Sequence, residues 1–81
     1  MDVRPIILEF MSTMNPGVPL ERFDVHDLFD AGLLDSLGLV DLACHLERTC
    51  GIRVDAAEAV MANFRSVDAI ARFVERKART E

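Results

Sequence analysis

Apolar residues recur at three- and four-residue intervals through most of the chain, the spacing of one helical face, and no stretch reads convincingly as a strand. Val3, Ile6, Ile7, Phe10 and Met14 predict a first helix over roughly Val3 to Met14. Asp2 can cap its start, and Pro5 is tolerable in the first turn. Asn15-Pro16-Gly17 ends it. A long connection from Asn15 to Asp35 follows, where Leu20, Phe23, Val25, Leu28, Phe29, Leu33 and Leu34 are expected to pin the loop onto the helices. Asp24 is a candidate cap for a single turn through Phe29, and Gly32 permits a sharp bend before Leu33.

The second helix is expected from about Ser36 to Cys50, with Gly51 as terminator. At about 100° per residue its sides separate. Leu39, Leu42, Ala43, Leu46 and Cys50 form a core stripe, while Gly38, His45 and Thr49 occupy another side. Ser36, Leu37, Val40, Asp41, Cys44, Glu47 and Arg48 form a mixed surface. Leu37 and Val40 are large and apolar yet lie off the core stripe, so either the long loop covers them or they form a partner-docking surface beside Ser36. After Ile52-Arg53-Val54, Asp55 can cap a short helix through about Ala62. Ser66 caps a last helix to about Arg79, whose core face is Val67, Ile70, Ala71 and Val74, with Phe73 adjoining. The expected fold is all-α: three main helices, one short helix and a long loop between the first and second, in a single domain spanning 1–81.

Composition narrows the function classes. The chain has 81 residues, half of them apolar, and a net charge of −5. That acidity disfavours nucleic acid and anionic membranes and suits a basic protein partner. No apolar stretch is long enough to insert in a membrane. Met1-Asp2 opens no basic region leading into an apolar run, so the cytoplasm is the expected location. Arg72, Arg76, Lys77 and Arg79 match the dipole of the last helix and lack the interleaved aromatics of a nucleic-acid surface. Cys44 and Cys50, six apart on one helix, point to different sides and cannot bridge each other, and with only His26 and His45 to help they make no credible metal site.

An Asp-Ser pair where a loop enters an amphipathic helix suggests a serine modified by another protein. A catalytic Ser36 would need a base within hydrogen-bond reach and an acid behind it. His45 lies round the helix and more than two turns along it, and cannot reach. His26 could approach from the loop, but there is no Gly-x-Ser-x-Gly elbow and little room for a substrate pocket. Asp27, Asp30, Asp35, Asp41 and Glu47 lack the spacing of a calcium loop, and there is no glycine-rich phosphate loop. The residues therefore argue against an enzyme. Taken alone, Asp35-Ser36 reads as a plain helix cap.

From about Asp27 to Val74 the chain resembles an acyl carrier protein. The likeness rests on Asp27-Leu28-Phe29, on Gly32-Leu33-Leu34-Asp35-Ser36-Leu37, on Val40-Asp41-Leu42 through Leu46-Glu47, and on Phe64-Arg65-Ser66-Val67-Asp68-Ala69-Ile70. The resemblance implies that Ser36, following Asp35, carries 4′-phosphopantetheine delivered from coenzyme A by a phosphopantetheinyl transferase. It also implies that Leu37, Val40, Asp41, Cys44, Glu47 and Arg48 face the partners. Gly38 and Arg48 stand where fatty-acid carriers usually place acidic residues. Leu33-Leu34 before the Asp-Ser-Leu motif and Gly38 after it look more like D-alanyl and other stand-alone aminoacyl carriers. The expected function is a monomeric carrier of an aminoacyl or small acyl thioester, loaded by an ATP-dependent adenylating ligase and discharged by a transferase. A fatty-acyl or polyketide carrier is the alternative, and an interaction domain that takes no prosthetic group is a further one.

Overall fold

The computed structural model describes residues 2–80. Met1 and Glu81, the ends of the expected domain, lie outside the described residues. Helix α1 spans Arg4–Met14, α2 Ser36–Cys50, α3 Met61–Phe64 and α4 Val67–Thr80, with one 3₁₀ turn at Leu20–Phe23 and no strand among the described residues. The all-α expectation of three main helices, one short helix and a long first loop holds.

Helix α4 organises the packing, because it touches α1, α2 and α3, while α1 also meets α2 and the 3₁₀ turn. Ile7, Met11, Leu42, Leu46, Ile70 and Val74 fill the centre with almost no exposure. The rings of Phe64 and Phe73 lie 5.5 Å apart and lock α3 against α4. On the far side of α2, Phe10 and His45 approach to 4.9 Å and join α1 to α2. An exposed ion pair from Arg4 Nη2 to Asp68 Oδ1 at 2.6 Å joins the starts of α1 and α4.

Local chemistry explains the boundaries, and it corrects several expectations. Asp2 does accept the Arg4 N–H, at 3.1 Å. The core face of α1 includes Met11, which the sequence reading omitted. Met14, assigned to that face, is instead exposed at the helix end. Leu20 does not pin the loop; it is about half exposed. Asp24 does not cap the turn near Phe29. Asp27 does, its Oδ1 accepting the N–H groups of Phe29 and Asp30. The long loop stays ordered because Phe23, Leu28 and Leu34 are buried and the Leu28 N–H donates to the Arg65 carbonyl at 2.6 Å.

The expected helix from Asp55 to Ala62 is displaced toward the C-terminus. Residues 56–58 form a turn, and α3 occupies only Met61–Phe64. The Glu58 carboxylate accepts the Asp55 N–H and pairs with Lys77 Nζ at 3.0 Å, which stabilises the turn from α4. Ser66 caps α4 as expected, its Oγ accepting the Ala69 N–H. Gly51 closes α2 in the left-handed region, at φ 69.

Two outcomes test this packing. Phe64→Ala should cost roughly 3–5 kcal/mol, read as a lowered urea midpoint with an unchanged slope. The Asp55 N–H and the Lys77 ammonium hold the Glu58 carboxyl below its ordinary value of 4.5. Because the native group is the stronger acid, its contribution is complete above 4.5 and fades as pH falls through the lower native value. The stability advantage of the wild type over Glu58→Gln should therefore be present at neutral pH and vanish in acid, as measured by urea titration across pH.

Candidate functional site

The sequence places Asp35 and Ser36 where the loop meets α2, and the structure separates their roles. Asp35 is extended, and its Oδ1 accepts the Gly38 N–H at 2.7 Å, so Asp35 is the cap. Ser36 is the first residue of the helix and is exposed, and its side chain has no hydrogen-bond partner among the described residues. Of the Asp35-Ser36 pair, Asp35 takes the capping role and Ser36 is left exposed beside it.

The helix start suits an attached anion. The first N–H groups of an α-helix have no intrahelical acceptor. Gly38 donates to Asp35 Oδ1 and Leu39 to the Asp35 carbonyl, which leaves the Ser36 and Leu37 amides beside the hydroxyl. Amides at a helix N-terminus favour a phosphate group, so these residues fit a phosphodiester on Ser36 Oγ.

Leu37 and Val40 are 72% and 52% exposed, so the long loop does not cover them. Asp41, Cys44 and Arg48 are exposed along the same helix. Glu47 differs from these. It is half-buried, and its Oε2 accepts the Val54 N–H at 2.8 Å, holding the chain that leaves α2. Arg48 has a second role in the last turn of α2, where a cation complements the helix dipole.

Gly38 is the clearest correction. Assigned from the sequence to a side away from the core, it is buried. A Cβ there would lie 2.7 Å from the terminal methyl of Met14 and 3.0 Å from a Leu34 methyl. Asn15, read only as part of a helix stop, has its amide donating to the carbonyls of Met11 and Leu33, which joins the end of α1 to the loop before Asp35. An amide side chain at a helix end is the sequence signal for such a bond.

The remaining candidates stay apart from Ser36. His26 borders a cleft with Ser66 and Asp68, and Ser36 does not line that cleft. His45 faces Phe10 and lies 3.4 Å from Thr49 Oγ1. No group of His, Cys, Asp or Glu among the described residues could hold a metal ion. Cys44 and Cys50 are both free thiols.

Comparison with known proteins follows from this geometry. A family profile for the phosphopantetheine attachment site matches residues 16–74. The chain belongs to this family of carrier proteins. It is 36% identical over 75 residues to the D-alanyl carrier protein of Streptococcus pyogenes serotype M5 (strain Manfredo), covering 93% of this chain and 94% of the relative. The D-alanyl carrier proteins of serotypes M49 (strain NZ131) and M1 match at the same identity and coverage. No solved structure gives a significant match. The prosthetic group of the family is phosphopantetheine, and the chain is a carrier rather than an enzyme. No helix among the described residues is long and apolar enough to cross a membrane.

The site geometry makes two checks direct. Asp35→Ala should cost about 1 kcal/mol of stability through the lost cap, read by chemical denaturation. Cys44 is exposed, whereas partial burial pushes the Cys50 thiol pKa up. Iodoacetamide should therefore alkylate Cys44 well before Cys50, as followed by peptide mass.

Proposed function

We propose that Ser36 is the attachment point of the prosthetic group and that the protein is a monomeric, single-domain, stand-alone carrier of an aminoacyl or small acyl group. The observation that carries this reading is the separation of roles at the helix start: Asp35 caps, and the Ser36 hydroxyl has no structural task. A phosphopantetheinyl transferase brings coenzyme A to that hydroxyl. Ser36 Oγ loses its proton and bonds to phosphorus, the pyrophosphate bond breaks, and adenosine 3′,5′-bisphosphate leaves. The bound arm supplies a terminal thiol on which cargo is held as a thioester.

An ATP-dependent adenylating ligase loads the carrier and an acyl transferase unloads it, with the cytoplasm as the place of exchange. The name of the streptococcal relatives supports an aminoacyl cargo. So does the sparse charge along α2, where Asp41 is an exposed acid and Arg48 an exposed base. Leu37, Val40, Asp41 and Cys44, next to the arm, form the surface on which partners dock, with Arg48 at its far end and Glu47 acting largely through the Val54 bond. A small apolar anchor with a few charges favours steered, reversible encounters.

Incubation with coenzyme A and a broad-specificity phosphopantetheinyl transferase should add the mass of one 4′-phosphopantetheine to the wild type and nothing to Ser36→Ala. The variant should keep its helical circular dichroism. An unmodified wild type beside a modified control carrier would overturn the proposal. Loading assays with amino acids and with fatty acids separate the aminoacyl reading from the fatty-acyl one.

A further inference from the structure

We infer that the groove between α1 and the Leu20–Phe23 turn is a second docking surface, which takes a basic amphipathic helix of a partner protein and leaves Ser36 and the outward side of α2 free. Two adjoining clefts make up the groove, with volumes of about 520 and 420 Å³ and with Leu8 and Leu20 in the walls of both. Both volumes fall within the roughly 300–1,000 Å³ usual for binding sites. None of Ser36, Leu37 and Val40 lines either cleft.

The walls are apolar residues that the core uses only in part. Leu8 lies about 100° round α1 from the buried Ile7 and is half-buried. Leu20 is 53% exposed. Pro5, Leu8 and Ser12 share one side of α1 at i, i+3 and i+7, and Phe23 and Val67 complete the second cleft. From Pro5 to Thr13 this wall runs about 12 Å, room for about two turns of an opposing helix.

The rim selects the occupant. Glu9 and Asp24 line the clefts, and Glu21 follows Leu20 in the chain. All three are exposed, and their carboxylates carry no ion pair among the described residues. Arg4 also borders the groove, but Asp68 engages it at 2.6 Å. Arg22 is exposed and unpaired in the same turn, so the free charge of the rim is net negative. Such a rim repels anionic lipid and nucleic-acid phosphates and attracts Lys and Arg. No strand among the described residues offers an edge, so an extended peptide has no ladder of amides to join. A helix satisfies its own backbone and needs only a groove for its apolar side chains. Apolar residues at helical spacing reach Leu8 and Leu20, and flanking Lys or Arg residues meet Glu9, Glu21 and Asp24. A partner seated there keeps the protein local to itself while Leu37 and Val40 stay available to a second protein, and linking the two binding events raises the effective concentration of the second.

The probe is a synthetic helix with Leu on one face and Lys on its flanks, titrated into the full chain and followed by amide spectra. The amides of Leu8, Glu9, Ser12 and Leu20 should shift, those of Leu37 to Cys44 should not, and added salt should weaken binding. Leu20→Lys, at a half-exposed position, should weaken binding about tenfold while keeping the helical circular dichroism. In the double variant Glu9→Lys, Glu21→Lys the preference should invert: a twin helix with Glu in place of Lys now shifts the same amides, which a variant that had merely unfolded could not show. Shifts confined to α2, equal binding of the two helices to the wild type, or binding indifferent to Leu20→Lys would overturn the inference. Groove amides that shift on dilution of the protein alone would overturn it too, assigning the groove to a second copy of the chain.

Discussion

The hydrogen bond from the Gly38 N–H to the Asp35 carboxylate is the constraint on which the site depends. A helix that begins at a serine would ordinarily recruit that hydroxyl, or the residue before it, to satisfy its first amides. Here the preceding aspartate does so. The serine side chain is thereby left without a capping task, and the Ser36 and Leu37 amides remain beside it. On the proposed reading of Ser36, one capping bond separates holding the fold from holding the prosthetic group.

That division runs through the molecule. Helix α4 gathers α1, α2 and α3 around Ile70, Phe73 and Val74, leaving the outward side of α2 with no packing duty. Leu37 and Val40 can therefore stay exposed in a small domain, where apolar surface is normally needed for the core. Glu47 shows where the division blurs. Its charge sits on the same helix as Leu37, Val40 and Asp41, but its carboxylate holds Val54, so counting acids along α2 overstates the charge free at its surface.

Much of this was legible in the sequence because helical periodicity and capping chemistry are local. The bounds of α2 follow from Asp35-Ser36 and Gly51, and the start of α4 follows from Ser66. The errors fall where tertiary contacts decide. Asp24 and Asp27 are equally good caps on paper, and Asp27 wins because Leu28 must bond Arg65 while its side chain is buried. The segment after Asp55 has helix-forming residues, yet the pairing of Glu58 with Lys77 keeps it a turn and moves α3 onward. Gly38 gave no signal of burial, because a glycine adds nothing to a hydrophobic pattern, and the methyl of Met14 that covers it comes from another helix.

The contact between Met14 and Gly38 also limits how this carrier can diverge. An acidic side chain at position 38 would add charge beside Ser36, but its first carbon would meet the terminal methyl of Met14. Gaining that charge requires the terminal methyl of Met14, the free end of a flexible side chain, and a Leu34 methyl to shift aside. The residue at position 38 and the internal fit of two helices are therefore coupled through one side-chain rearrangement.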